Sequence, residues 1–188
     1  MRFILGVILA AAALFMWGYV YWGLSPFPDS IIQSVDDHEA VAASLQMHFN
    51  ESGTYLMPQQ PKNTKDVATM DAYTRRHEEG PVVMMFYNHA GAAPMDSTRM
   101  AIGFGHSVLV AFLGGIICLA AAPRTYVTRV MLIFWTTMFA AVWTQVGNVI
   151  WWYYPMDYCL LQLGYMIIGG MLMALILAAF IRPDPEMA

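Results

Sequence analysis

The chain is short of charge. Only 12% of its 188 residues are Asp, Glu, Lys or Arg, against roughly 25% in an ordinary soluble domain. It is short of basic residues in particular: nine Lys and Arg face thirteen Asp and Glu, for a net charge of −4. None of the nine form a run, so the basic footprint that neutralises phosphate is missing and nucleic acid is excluded as a partner. Cysteine is scarce too. Cys118 and Cys159 are the two present, and the spans described below put them near opposite faces of a membrane, roughly 25 Å apart at 1.5 Å per residue. They are too distant to form a disulfide with each other, which disfavours disulfide-stapled four-span proteins and quinone-linked thiol oxidases. Glycine-rich phosphate loops, zinc-ligand spacings and serine elbows are also missing.

What the chain has in abundance is apolar sequence: 59% of residues are hydrophobic and the mean hydropathy is +0.50. An integral membrane protein is the economical reading. Residues 130–158 organise the rest, because this stretch carries no charge until Asp157 and is long enough to cross a hydrocarbon core of about 30 Å as one helix. Along it Thr137, Ala141, Thr144 and Asn148 recur at three- and four-residue steps, with Gln145 beside them, so this stripe is expected to face protein. Trp151, Trp152, Tyr153 and Tyr154 form an aromatic cluster suited to headgroup level, and Pro155 ends the helix.

Three further runs complete a set of spans. Residues 1–24 begin with Arg2 and close on Trp17, Tyr19, Tyr21 and Trp22, an expected interfacial belt. The run exceeds a signal-peptide core and no small-residue cleavage site follows, so it is read as an uncleaved anchor. The second span is expected over 100–122, the third over 126–153 and the fourth over 158–181, followed by a cytoplasmic tail, 182–188. Arg124 and Arg129 in one loop, with Arg2 and Arg182 at the ends, belong on the cytoplasmic side, whereas the loop at 151–157 has no Lys or Arg. Both termini are therefore expected in the cytoplasm of a bacterial inner membrane, with 25–99 in the periplasm.

Composition changes abruptly within 25–99, which holds ten of the thirteen acidic residues and four of the five histidines. Ser34 followed by Asp37 resembles a capping box for a helix carrying Val35, Ala42, Leu45 and Phe49. Residues 53–57 and 81–87 are short and β-prone, and 66–79 between them is helical, ending at Gly80. The expected unit is α-β-α-β with a two-stranded sheet, marginal by itself and in need of support from its helices, a membrane surface or a partner. The fold class is thus membrane all-α, a four-transmembrane-helix bundle with a small α+β extracytoplasmic domain inserted between helices 1 and 2.

Candidate functional positions follow from spacing and depth. Gly103, Ser107, Ala111 and Gly115 recur at every fourth residue of the second span, and Gly170, Ala174 and Ala178 repeat the pattern on the fourth; small residues so spaced let helix backbones approach closely. His106, Gln145, Asn148 and Gln162 share a level one to two turns below the outer ends of their spans, a candidate ligand-binding polar cluster, since polar groups in hydrocarbon point into a bundle or a wet cavity. The remaining histidines, His38, His48, His77 and His89, lie outside the spans at no recognised ligand spacing, and no second intramembrane histidine completes a haem site. Asp36, Asp37 and Glu39 suit the first turn of a helix, and Arg75, Arg76, Glu78 and Glu79 a solvated helix face.

No catalytic residue, cofactor or metal is therefore expected. The leading function is a non-catalytic accessory or scaffolding subunit of a larger membrane assembly, with membrane lipid and other membrane protein subunits as partners. Its rivals are binding or transport of a small or lipidic molecule at the outer polar cluster and, behind that, a haem- or metal-dependent enzyme using His106 and the outer histidines.

Overall fold

The computed structural model describes residues 1–94 and 96–181; the expected tail 182–188, including Arg182 and Pro183, lies outside them. Most of the chain is helical, and among the described residues four helices are long and apolar enough to cross a membrane. The first is α1 (Arg2–Tyr19), continued by a π-helical turn, Val20–Leu24. After a short α2 (Phe27–Ile31) come α3 (His38–His48), β1 (Gly53–Met57), α4 (Val67–Glu79) and β2 (Val83–Tyr87), then the long helices α5 (Ser97–Ala121), α6 (Tyr126–Trp152) and α7 (Met156–Phe180). The chain divides into two compact units, one formed by Met1–Gln33 with Met95–Ala188 and the other by Ser34–Pro94. Residues expected in the extracytoplasmic domain but preceding Ser34, α2 included, thus fall with the long helices.

Local signals account for the helix ends. Asp96 accepts from the backbone N–H of Thr98 at 2.9 Å where α5 starts. Thr125 and Thr128 form a reciprocal capping box at the start of α6, each hydroxyl taking the other's backbone N–H at 3.1 Å. Such pairs satisfy donors that the first turn leaves orphaned. At the other end of α6, Tyr153 takes a left-handed conformation with φ of 58° and Pro155 opens α7.

Within the helical unit α7 packs closely on α6 and on α1, and α1 packs on α5; α5 approaches α6 and α7 far less. Five of the twelve residues in the buried cluster are alanine (Ala10, Ala11, Ala111, Ala174 and Ala178), so this core is built by close backbone approach rather than by large side chains. The stripe Gly103, Ser107, Ala111, Gly115 faces α1: a Cβ at Gly115 would lie 2.7 Å from Cε2 of Phe3, and one at Gly103 3.6 Å from Cε2 of Phe15. On α7, a Cβ at Gly170 would meet Thr137 of α6, coming 2.9 Å from its Cβ, and Ala174 and Ala178 are fully buried. The third-span stripe divides. Ala141 is fully buried, but Thr144 is exposed and returns its hydroxyl to the carbonyl of Ala140 at 2.8 Å.

Two of the aromatics expected to form a belt at the end of the first span pack on α7. Trp17 donates its indole N–H to the carbonyl of Tyr165 at 3.0 Å, and Tyr21 is buried with its hydroxyl donating to the carbonyl of Leu161 at 2.8 Å. Both rings thus point onto α7, where Gly164 and Gly169 leave the space: a Cβ at either glycine would sit 3.1 Å from the Tyr21 hydroxyl or the Trp17 ring. Tyr19 faces outward, 48% exposed. Pairing the N–H and O–H with carbonyls lets these aromatics serve as packing groups.

Residues flanking the α5–α6 turn form a second clamp. Arg129, only 7% exposed, donates through Nε to the carbonyl of Ala178 at 3.0 Å and through one terminal nitrogen to those of Pro123 and Arg124 at 3.3 and 3.2 Å. Tyr126 donates to Leu175 O at 3.1 Å. A guanidinium is well placed there, because carbonyls at a helix C-terminus lack intrahelical partners and carry the negative end of the dipole. Besides being a candidate cytoplasmic marker, Arg129 therefore ties α6 to the end of α7.

In the unit Ser34–Pro94 the strands pair antiparallel, from Gly53 opposite Tyr87 to Met57 opposite Val83. Asp37 is itself the cap of α3, accepting from Ala40 N at 2.9 Å; the capping box expected to start at Ser34 does not form, because the helix begins only at His38. Gly80 ends α4 with φ of 68°, a conformation glycine adopts without a Cβ penalty. Phe49, Tyr55 and Tyr87 cluster on one face of the sheet, the first pair with ring centres 4.4 Å apart. No residue of this unit is buried.

Candidate functional site

A cleft of about 420 Å³ opens between α5 and α6 in the helical unit. Its walls are His106, Ser107, Val110, Leu113, Gly114 and Ile117 of α5 and Ile133, Thr136, Thr137 and Ala140 of α6. Tyr165, Met166, Gly169, Gly170 and Met173 of α7 form its floor, with Leu14 of α1. The cleft exists because α5 packs chiefly on α1 and α6 chiefly on α7, and the two approach each other far less.

Most polar groups in the lining are already satisfied. Ser107 donates to the carbonyl of Gly103 at 3.1 Å, Thr136 to that of Leu132 at 2.8 Å and Thr137 to that of Ile133 at 3.0 Å. These bonds return each hydroxyl to its own helix and leave methyl and methylene groups facing the space. His106 differs. Among the described residues its ring has no hydrogen-bond partner, although neutral imidazole carries one donor and one acceptor. The lining contains no Asp, Glu, Lys or Arg.

The polar residues expected to converge each have a different hydrogen-bonding situation. Gln145 donates to Sδ of Met166 at 3.7 Å, a residue of the cleft floor. Gln162 donates to the Tyr158 hydroxyl at 2.9 Å, one turn back on its own helix. Asn148 contributes its backbone carbonyl to Tyr154 N at 3.3 Å. Among the described residues no hydrogen bond joins any two of His106, Gln145, Asn148 and Gln162, and His106 alone of the four lines the cleft. Equal depth specified a level along the helices but not the direction in which each side chain points.

The residues missed by sequence reasoning are the apolar ones. Val110, Leu113, Ile117, Ala140 and Met166 read as ordinary span residues, and only the spacing of α5 from α6 makes them a site. Thr136, directly preceding Thr137 of the recognised stripe, was the available signal.

Elsewhere, His48 Nδ1 lies 2.8 Å from the Ser44 carbonyl, and His89 Nδ1 lies 3.1 Å from the Tyr87 hydroxyl. Among the described residues no three His, Cys, Asp or Glu side chains gather as a metal site. Both cysteines are buried free thiols. Compared with known proteins, the chain matches no family model, no curated sequence and no solved structure.

Proposed function

We propose that the chain is a non-catalytic subunit of a membrane assembly, a four-transmembrane-helix bundle of the bacterial inner membrane that presents Ser34–Pro94 to a partner protein in the periplasm. The observation that carries this reading is the lack of any buried residue in that unit. Met47, Val67 and Phe86 are 76%, 72% and 69% exposed. A two-stranded sheet with its apolar side chains in water gains little from burial, and a partner surface supplies what the unit lacks. The outer face of α6 adds support: Trp135, Phe139 and Trp143, at four-residue steps, are 58%, 68% and 75% exposed. Tryptophan favours the interface, so its presence at Trp135, well inside the span, suits contact with another helix.

Orientation follows the arginines: Arg124 and Arg129 assign the α5–α6 turn to the cytoplasm, and both termini with it. A reporter active only in the cytoplasm is expected to work when fused after Ala188 or between Pro123 and Thr128, and to be silent within residues 63–66. Mild detergent extraction of the tagged chain is expected to bring a partner in fixed stoichiometry, lost in Phe86→Asp and Val67→Asp variants whose helix content is unchanged. A chain that migrates alone, or a partner indifferent to both substitutions, would refute the subunit reading.

A further inference from the structure

We infer that the α5–α6 cleft is a binding site for a membrane-soluble molecule with one apolar chain and a small, neutral hydrogen-bonding head, a hydroxyl or a carbonyl, which bonds to His106. This is independent of the subunit role and replaces the polar outer pocket as the place where a ligand would be held.

The shape of the site sets the tail. From His106 to Ile117 the cleft follows α5 for about 16 Å at 1.5 Å per residue, and its volume is about 420 Å³, within the range of roughly 300–1,000 Å³ common for small-molecule sites. A space of that length and volume takes a hydrocarbon chain. Because Ser107, Thr136 and Thr137 are bonded to their own helices, the lower part of the cleft offers only apolar contact.

The imidazole sets the head. His106 lies nine residues into α5, about 13 Å from its start, exposed rather than enclosed by the bundle and with no partner among the described residues. An unpaired polar group at that depth is costly in hydrocarbon, and a ligand hydroxyl or carbonyl relieves the cost. The lining contains no Lys or Arg, and Arg129 is engaged by three carbonyls. An anionic head would thus meet no lysine or arginine. A phospholipid would have to bring its phosphate well below the headgroup level to reach His106.

The test uses the intact chain in phosphatidylcholine nanodiscs, with diazirine-bearing hexadecanol as the probe and adducts located by peptide mass spectrometry. Labelling is expected to concentrate on Leu113, Ile117 and Ile133 over the outward-facing Leu109 and Trp135, and to be competed by unlabelled hexadecanol. Filling the cleft from either wall, with Ala140→Phe or Leu113→Trp, should abolish the preference. His106→Phe should weaken labelling about fivefold, as loss of one hydrogen bond implies, while His106→Gln retains it. The inference is overturned by even labelling of cleft and outward faces, or by preference surviving both filling variants. Indifference to His106→Phe would also overturn it, as would equal cleft labelling by a diazirine-bearing phosphatidylcholine.

Discussion

The seam between α7 and its neighbours and the cleft between α5 and α6 belong to one helical unit, yet one is closed and the other open. Along the seam Gly170 meets Thr137, Gly164 and Gly169 receive Tyr21 and Trp17, and Ala174 is fully buried. Across the cleft, branched side chains such as Val110 and Ile133 face each other over a gap. The difference teaches that each helix closes where its small residues point. α5 has one such stripe and directs it at α1; the corresponding face of α6 lies on α7, so nothing draws α5 and α6 together. In a membrane, where apolar burial gives little drive between helices, this geometry decides which pairs pack.

Breaking the closed side should have the largest effect. Gly170→Leu would force a branched side chain into Thr137, and overpacking of this kind costs about 3 kcal/mol or more. Thermal unfolding in detergent should show a large fall in stability; an unchanged midpoint would mean that α6 and α7 are not held by this contact.

A sharper comparison uses adjacent residues on one helix. Ala111 is fully buried, whereas Val110 borders the cleft. Ala111→Leu is expected to lose about 1–3 kcal/mol and Val110→Leu under about 1 kcal/mol, because the added methylene enters open space. The reverse ranking would place the packing face on the wrong side of α5.

The smallest effect concerns the polar level. Gln162 is bonded to Tyr158 and not to Asn148, so the losses of Asn148→Ala and Gln162→Ala should add to within about 0.5 kcal/mol in the double variant. Non-additivity beyond that would restore a shared network.

How far this was legible varies from residue to residue. The strand at Gly53–Met57 and the stop at Gly80 were readable because turn chemistry acts locally. Asp37 was recognised as a capping residue but assigned to the wrong role, since one shift in the helix start changes which side chain caps. Trp17 and Tyr21 carried a composition cue for a membrane surface, and only the carbonyls of Leu161 and Tyr165, far away in sequence, turned them inward.

By itself the sequence determined that four stretches are long and apolar enough to span a membrane, that Ser34–Pro94 differs from them, and which helix faces allow close approach. These properties depend on residues a few positions apart. Which face meets which helix was decided only by the tertiary structure, and with it the cleft, the free imidazole of His106 and the engagement of Arg129 with the end of α7. The reason is physical: a helix's periodicity defines the direction of its side chains about its own axis, whereas a cavity depends on the distance between two axes, which no single stretch encodes.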